Sequence, residues 1–305
     1  MINIKPINQT KLFGLDKYMN ELVLLKDNLP NKILLSGPKG VGKSTMAFHF
    51  INYILSKDEE FKYDINNYEI NPKNHSFIIT LNESNPNLYT LNIDQETKTI
   101  NIKQIRDLIS SLNKSSFNKK SRFILIDNVE YLNVNSVNAL LKIIEEPSED
   151  IFFILVNNDK KIIPTLKSRC LNFRISLSNR ECIEVSNQLL NIDIFDYINE
   201  DLFDYYFTPG KILNLIKFSE ENSINLKKIE LKQFLSLIID KAYYKKENPI
   251  KYMIFDFFEL YFRKKTNLRE NEFFHLFLNQ IDNIKKFNLD DESFFIQFKQ
   301  KLMNE

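Results

Sequence analysis

The sequence predicts an α/β fold: a parallel sheet covered by helices on both faces, with a small helical lid and then an all-α domain. Three observations predict it. A glycine-rich loop at 37–42 stands between an apolar run and an amphipathic stretch. Apolar runs at 33–35, 77–81, 123–126, 152–156 and 171–175 alternate with helical patterns, as in a parallel sheet. From Ile224 to Glu305 no strand signal returns, and Phe274, Phe277, Leu278 and Ile281 follow the i, i+3, i+4, i+7 spacing of a buried helical stripe. The expected units are residues 1–175 for the sheet, 176–223 for the lid and 224–305 for the helical domain.

The first strand, Ile33-Leu34-Leu35, runs into Gly37, Pro38, Lys39, Gly40, Val41, Gly42, Lys43 and Ser44, with Thr45 next. These residues fit G-x-x-x-x-G-K-[ST]. The chain has only 5 glycines in 305 residues, and three of them fall here. Backbone N–H groups can wrap a phosphate only where no side chain obstructs them and positive φ is allowed, which glycine permits at least cost. Ser44 to Ser56, apolar at Met46, Ala47, Phe50, Ile51, Ile54 and Leu55, reads as the helix whose N-terminus adds unpaired donors and a favourable dipole. The loop is therefore expected to hold ATP or ADP, with Lys43 on the outer phosphates and the Ser44 hydroxyl on Mg²⁺.

Residues 57–75 read as a loop or insertion, and 77–81 as the second strand. The run at 122–126 is closed by Asp127, a carboxylate at the end of a buried strand and the expected second ligand on the Mg²⁺ side. Asn128 follows it. A carboxamide cannot accept a proton at neutral pH, so the position next to Asp127 cannot activate a water. Glu130 is two residues further on and is expected to point elsewhere.

Residues 135–147, NSVNALLKIIEEP, followed by FFILVNNDKKIIPTLKSRC at 152–170, resemble the AAA+ clamp-loader family of bacterial DNA polymerase III. The resemblance runs from Leu12-Phe13-Gly14 to Thr208-Pro209-Gly210-Lys211. It implies an AAA+ sheet and lid followed by a collar through which subunits form a ring. It also implies roles: Asn158 as the polar sensor of the terminal phosphate, with Asn157 as the alternative; Lys211 where the family carries a second sensing arginine; and Arg169 as a catalytic arginine finger acting in trans. Lysine keeps the charge of arginine but not its planar fork, so a weaker contact is expected at Lys211. The family's motor subunit has an Asp-Glu pair and a four-cysteine zinc module, and this chain has neither. The resemblance therefore implies a member of the polymerase III holoenzyme that binds ATP and hydrolyses it poorly. The implied partners are the other clamp-loader subunits, motor and delta, in a hetero-oligomeric ring, with the sliding clamp and, through the complex, primed DNA. A hydrolytically active motor subunit is the alternative, and a small-molecule kinase leaves the NALLK and SRC segments without a reason.

Charge and composition limit other readings. Lys and Arg total 41 against 40 for Asp and Glu, which argues against binding nucleic acid through overall charge. Paired lysines such as Lys119–Lys120, Lys245–Lys246 and Lys264–Lys265 are spread along the chain as solvated faces. Two cysteines and three histidines form no metal-ligand cluster. No apolar run reaches bilayer length, so a cytoplasmic protein with reduced thiols and no membrane partner is expected.

Overall fold

The computed structural model describes residues 5–94, 97–112, 120–148, 150–203, 207–246, 249–264, 279–281 and 292–302. Two compact units divide the chain, Ile2–Val185 and Ser186–Glu305. In the first, strands β1 (Lys32–Ser36), β2 (Leu88–Leu91), β3 (Arg122–Ile126), β4 (Ile151–Asn157) and β5 (Leu171–Arg174) form a five-stranded sheet in the order β2-β3-β4-β1-β5. Every pairing is parallel. This is the P-loop α/β sheet the sequence predicts.

Alternation along the strands explains the two layers of helix. Ile33 and Leu35 of β1, Phe123 and Leu125 of β3, and Ile154 and Val156 of β4 face α1 (Asp16–Leu24), α2 (Lys43–Leu55) and Phe77 of α3 (His75–Leu81). Leu34, Ile124, Ile126, Phe153 and Leu155 face the other way, onto α4 (Ile102–Leu112), α5 (Val134–Glu145) and α6 (Pro164–Lys167). Strands buried on both faces read as continuous apolar runs, and these do. Since β1 is followed by α2 on one face and its neighbour β4 by α6 on the other, a crevice opens at the C-terminal ends of β1 and β4. Ligands of open α/β sheets bind at such switch points.

One expected strand is a helix. Residues 77–81 lie in α3, whose N-cap Asn74 accepts a hydrogen bond from the Phe77 N–H at 2.7 Å. Ser76 and Phe77 are buried while Ile78 and Leu81 are 41% and 39% exposed, the one-sided burial of a surface helix rather than of an inner strand. The second strand is Leu88–Leu91, on the sheet edge beside β3.

The second unit continues from within α7 (Asn179–Leu190), whose first turn is capped by Ser178 and Glu181 reciprocally. It contains α8 (Ile194–Tyr197), α9 (Pro209–Asn222), α10 (Leu231–Asp240), α11 (Ile254–Lys264) and α12 (Glu292–Leu302). Its described residues contain no strand. Phe234, Phe257, Phe258, Phe295 and Phe298 are fully buried, with edge-to-face pairs such as Phe234–Phe257 at 5.0 Å and Phe258–Phe298 at 4.5 Å. Of the predicted stripe, Ile281 is buried, and Phe274, Phe277 and Leu278 lie outside the described residues. Among the described residues no helix is long and apolar enough to cross a membrane.

Candidate functional site

The glycine loop follows β1 directly. Gly37, Gly40 and Gly42 all have positive φ, +146°, +89° and +96°. Gly37 has a further reason to be glycine, because a Cβ there would stand 1.9 Å from the Ile175 carbonyl oxygen. Pro38, Gly40, Gly42, Ser44 and Thr45 are partly buried, Val41 is buried and Lys39 is exposed. Gly42 caps α2, so the first-turn N–H groups of that helix belong to the loop.

Lys43 is 3% exposed, and its ammonium donates to Gly37 O at 2.8 Å and Pro38 O at 2.6 Å. Burial pulls its pKa down to about 8, against the opposing pull of Asp127, Asp159 and Glu130. Ser44 Oγ donates to Asp127 Oδ2 at 2.9 Å, joining the two residues expected beside Mg²⁺. The Asp127 carboxyl is pushed up by burial, opposed by its bonds to Ser44 and to the Asn128 N–H. A cation at this pair would relieve that burial. The donors, the positive-φ backbone and the hydroxyl–carboxylate pair fit a magnesium nucleotide. Among the described residues no group of His, Cys, Asp and Glu forms a metal cluster of its own.

Asn128 adopts the left-handed conformation, φ +59°, and starts a 3-10 turn, Val129–Tyr131. That turn corrects the expectation for Glu130. Instead of pointing elsewhere, its carboxylate meets Asn158 across the ends of β3 and β4, accepting from Asn158 Nδ2 at 3.1 Å and from the Asn158 N–H at 3.4 Å. Asn158 Nδ2 also donates to Asn128 Oδ1 at 2.8 Å. Strand spacing could not have revealed this contact, because it depends on the Asn128 turn. Asn157 is buried and donates to Lys160 O at 3.0 Å, bracing the loop.

The sequence reading also missed a pair at the rim. Arg174, the last residue of β5, reaches both carboxylate oxygens of Asp159 at 3.2 and 3.3 Å. Lys211 lies in α9, one residue after Gly210, with its ammonium 2.8 Å from Asp256 Oδ2 within the second unit. The contact is an ion pair, and among the described residues Asp256 Oδ2 accepts no hydrogen bond. Gly14 precedes α1, packed against Val185.

Arg169 follows α6 and precedes β5, so it stands at the N-terminal end of the sheet, opposite its own glycine loop. Its guanidinium contacts Thr165 O at 2.9 Å and Glu145 at 2.9 Å, with 37% of the side chain exposed. Cys170 is half-buried, and burial pushes its thiol up to about 11, which makes it a poor nucleophile.

Residues 17–179, just over half of the chain, match the family model described as DNA polymerase III, delta subunit. The chain belongs to that DNA polymerase III delta-subunit family. The matched span of this family member holds the glycine loop, Asp127, Asn158 and Arg169. It is 31% identical over 211 residues to DNA polymerase III subunit gamma of Buchnera aphidicola subsp. Schizaphis graminum, covering 64% of this chain and 53% of that protein. It is 29% identical over 139 residues to subunit delta' of Pseudomonas aeruginosa, covering 45% and 40%. The chain thus spans about half the length, or less, of these curated relatives. Among solved structures, a gamma subunit-related protein of Thermotoga maritima aligns with a TM-score of 0.38 at 17% identity, over 87% of this chain and 75% of that one.

Proposed function

We propose that this chain is a delta-prime-like subunit of a bacterial clamp loader, which binds ATP or ADP with Mg²⁺, hydrolyses ATP poorly and lends Arg169 to a neighbouring subunit's site. The observation that carries the reading is the position of Arg169. It stands at the end of the sheet opposite its own phosphate loop. The length of β1, roughly 13 Å at strand rise, separates the two ends, more than an arginine side chain reaches. The guanidinium is partly exposed and held by a surface pair with Glu145, worth about 1 kcal/mol or less, and by one exposed hydrogen bond to Thr165 O, so leaving them costs little. A guanidinium on a transferring phosphoryl group stabilises the charge that develops there.

Within the chain's own site, the loop N–H groups and the α2 N-terminus would hold the phosphates, Lys43 would neutralise the outer ones, and Ser44 and Asp127 would hold the metal. The magnesium nucleotide supplies the phosphoryl group and its counter-charge. Water activation lacks a base: Asn128 stands next to Asp127, and Glu130 is engaged by two donors of Asn158. Residues 176–223 would serve as the lid, carrying Lys211, and 224–305 as the collar. Partners would be the motor and delta subunits in a ring, the sliding clamp, and primed DNA through the complex, in the cytoplasm.

The similarity to gamma subunits supports a second reading, an active motor. Asn128 and the presence of only two cysteines weigh against it. The purified chain is expected to bind Mg-ATP with very slow turnover. Brisk hydrolysis abolished by Lys43→Ala would establish the motor instead. In the reconstituted complex, Arg169→Ala is expected to leave this chain's nucleotide affinity unchanged and to lower DNA-stimulated hydrolysis at the site it serves by on the order of 10³-fold, the low end for such fingers. Unchanged hydrolysis would remove the finger role.

A further inference from the structure

The hydrogen bonds of Asn158 bear on what this site can read. A carboxamide nitrogen carries two protons. One goes to Asn128 Oδ1 at 2.8 Å and the other to Glu130 Oε1 at 3.1 Å, while the main-chain N–H of Asn158 goes to Glu130 Oε2 at 3.4 Å. An ionised carboxylate only accepts, so the face of Asn158 toward Glu130 has to be the nitrogen. What remains is an amide oxygen, which offers a phosphate nothing. We propose that Glu130 and Asn128 together hold Asn158 in a state with no donor for a terminal phosphate, so that this site binds nucleoside di- and triphosphates with nearly equal affinity. The inference rests on the nucleotide reading above and assigns its selectivity. Glu130 is here a positioning residue, acting through Asn158.

The physical reason is an exchange. To donate to a γ-phosphate, Asn158 has to give up either its bond to Asn128 or a charge-assisted bond to Glu130, so the new contact is an exchange and less net free energy remains to favour ATP. Contacts shared by both nucleotides, from the loop N–H groups and the α2 N-terminus, are untouched. Lys43 leaves a small residual preference for the triphosphate.

The test is titration calorimetry of the full chain with Mg-ATP and Mg-ADP separately. In the wild type the two affinities are expected to agree within about threefold. Glu130→Ala releases one side-chain proton of Asn158, together with its weakly held main-chain N–H, and the ATP-to-ADP affinity ratio is expected to rise about 10-fold or somewhat more, the scale of one added hydrogen bond to a charged group. Asn128→Ala releases the other proton and is expected to shift the ratio the same way, which keeps the test alive if the first variant does not fold. Glu130→Gln, which keeps the volume and one acceptor, is expected to give a smaller rise. A merely structural role would lower both affinities together and leave the ratio unchanged, overturning the inference. So would a wild type that already prefers ATP 10-fold or more, or a ratio that falls in Glu130→Ala. Failure of the wild type to bind either nucleotide would overturn the nucleotide reading itself, and this inference with it.

Discussion

Lys43 is a buried cation whose protonation the site can sense. Its ammonium is pulled down to about 8, mainly by burial, so above that pH the lone chain is partly neutral there. Bound phosphate favours the charged form, and binding then takes up a proton. Nucleotide affinity is therefore expected to be flat below pH 7 and to fall toward tenfold per pH unit above about 8. Calorimetry at pH 7, 8 and 9 checks this, and a flat profile would show the ammonium fully charged throughout. Gly37 makes a steric prediction. Gly37→Ala has to fit a Cβ 1.9 Å from the Ile175 carbonyl at φ +146°, so a loss of stability of at least about 2 kcal/mol in urea unfolding is expected. Arg169→Ala removes a partly exposed pair with Glu145 and an exposed hydrogen bond to Thr165 O, and its midpoint is expected to stay close to wild type.

At the scale of the element, α2 carries both the phosphate loop and a buried histidine. His49 is fully buried, with its ring nitrogens 3.0 Å from Tyr63 Oη and 3.1 Å from Gln9 O. Burial pulls its pKa down to about 4. The unfolded chain therefore binds the proton first as pH falls below about 6.5, so stability drops from there and the loss is complete below about 4. A loss on the order of 2 kcal/mol between pH 7 and pH 5 is expected, and His49→Gln should flatten that interval in chemical denaturation. Legibility also varied by element. β1, β3 and β4 are readable because strands buried on both faces must be apolar throughout, and the loop after β1 because its chemistry admits few residues. Phe77–Leu81 is just as apolar but is a helix, since Asn74 caps it and its outer face is left to solvent. β2 escaped notice because, of its four residues, only Leu91 is buried. Glu130 escaped because one left-handed residue, Asn128, redirects the chain toward Asn158.

For the whole molecule, the near-cancelling charge of 41 basic and 40 acidic side chains sets an expectation about DNA. Without a strong net field, the lone chain is expected to bind a primed duplex more weakly than about 10⁻⁴ M near physiological salt, the weak limit of non-specific binding. Fluorescence anisotropy checks this, and micromolar binding would reveal a local phosphate track. Gly37 has a further consequence at this scale. Its backbone lies against Ile175, whose N–H donates to Ser36 O at 2.7 Å, while Ser176 exchanges hydrogen bonds with the Tyr18 hydroxyl at 2.9 and 3.1 Å. There is no slack between these parts. The cradle and the stretch where the chain leaves the sheet are thus in direct contact, like a gear tooth already in mesh, so neither can move toward the other without displacing it.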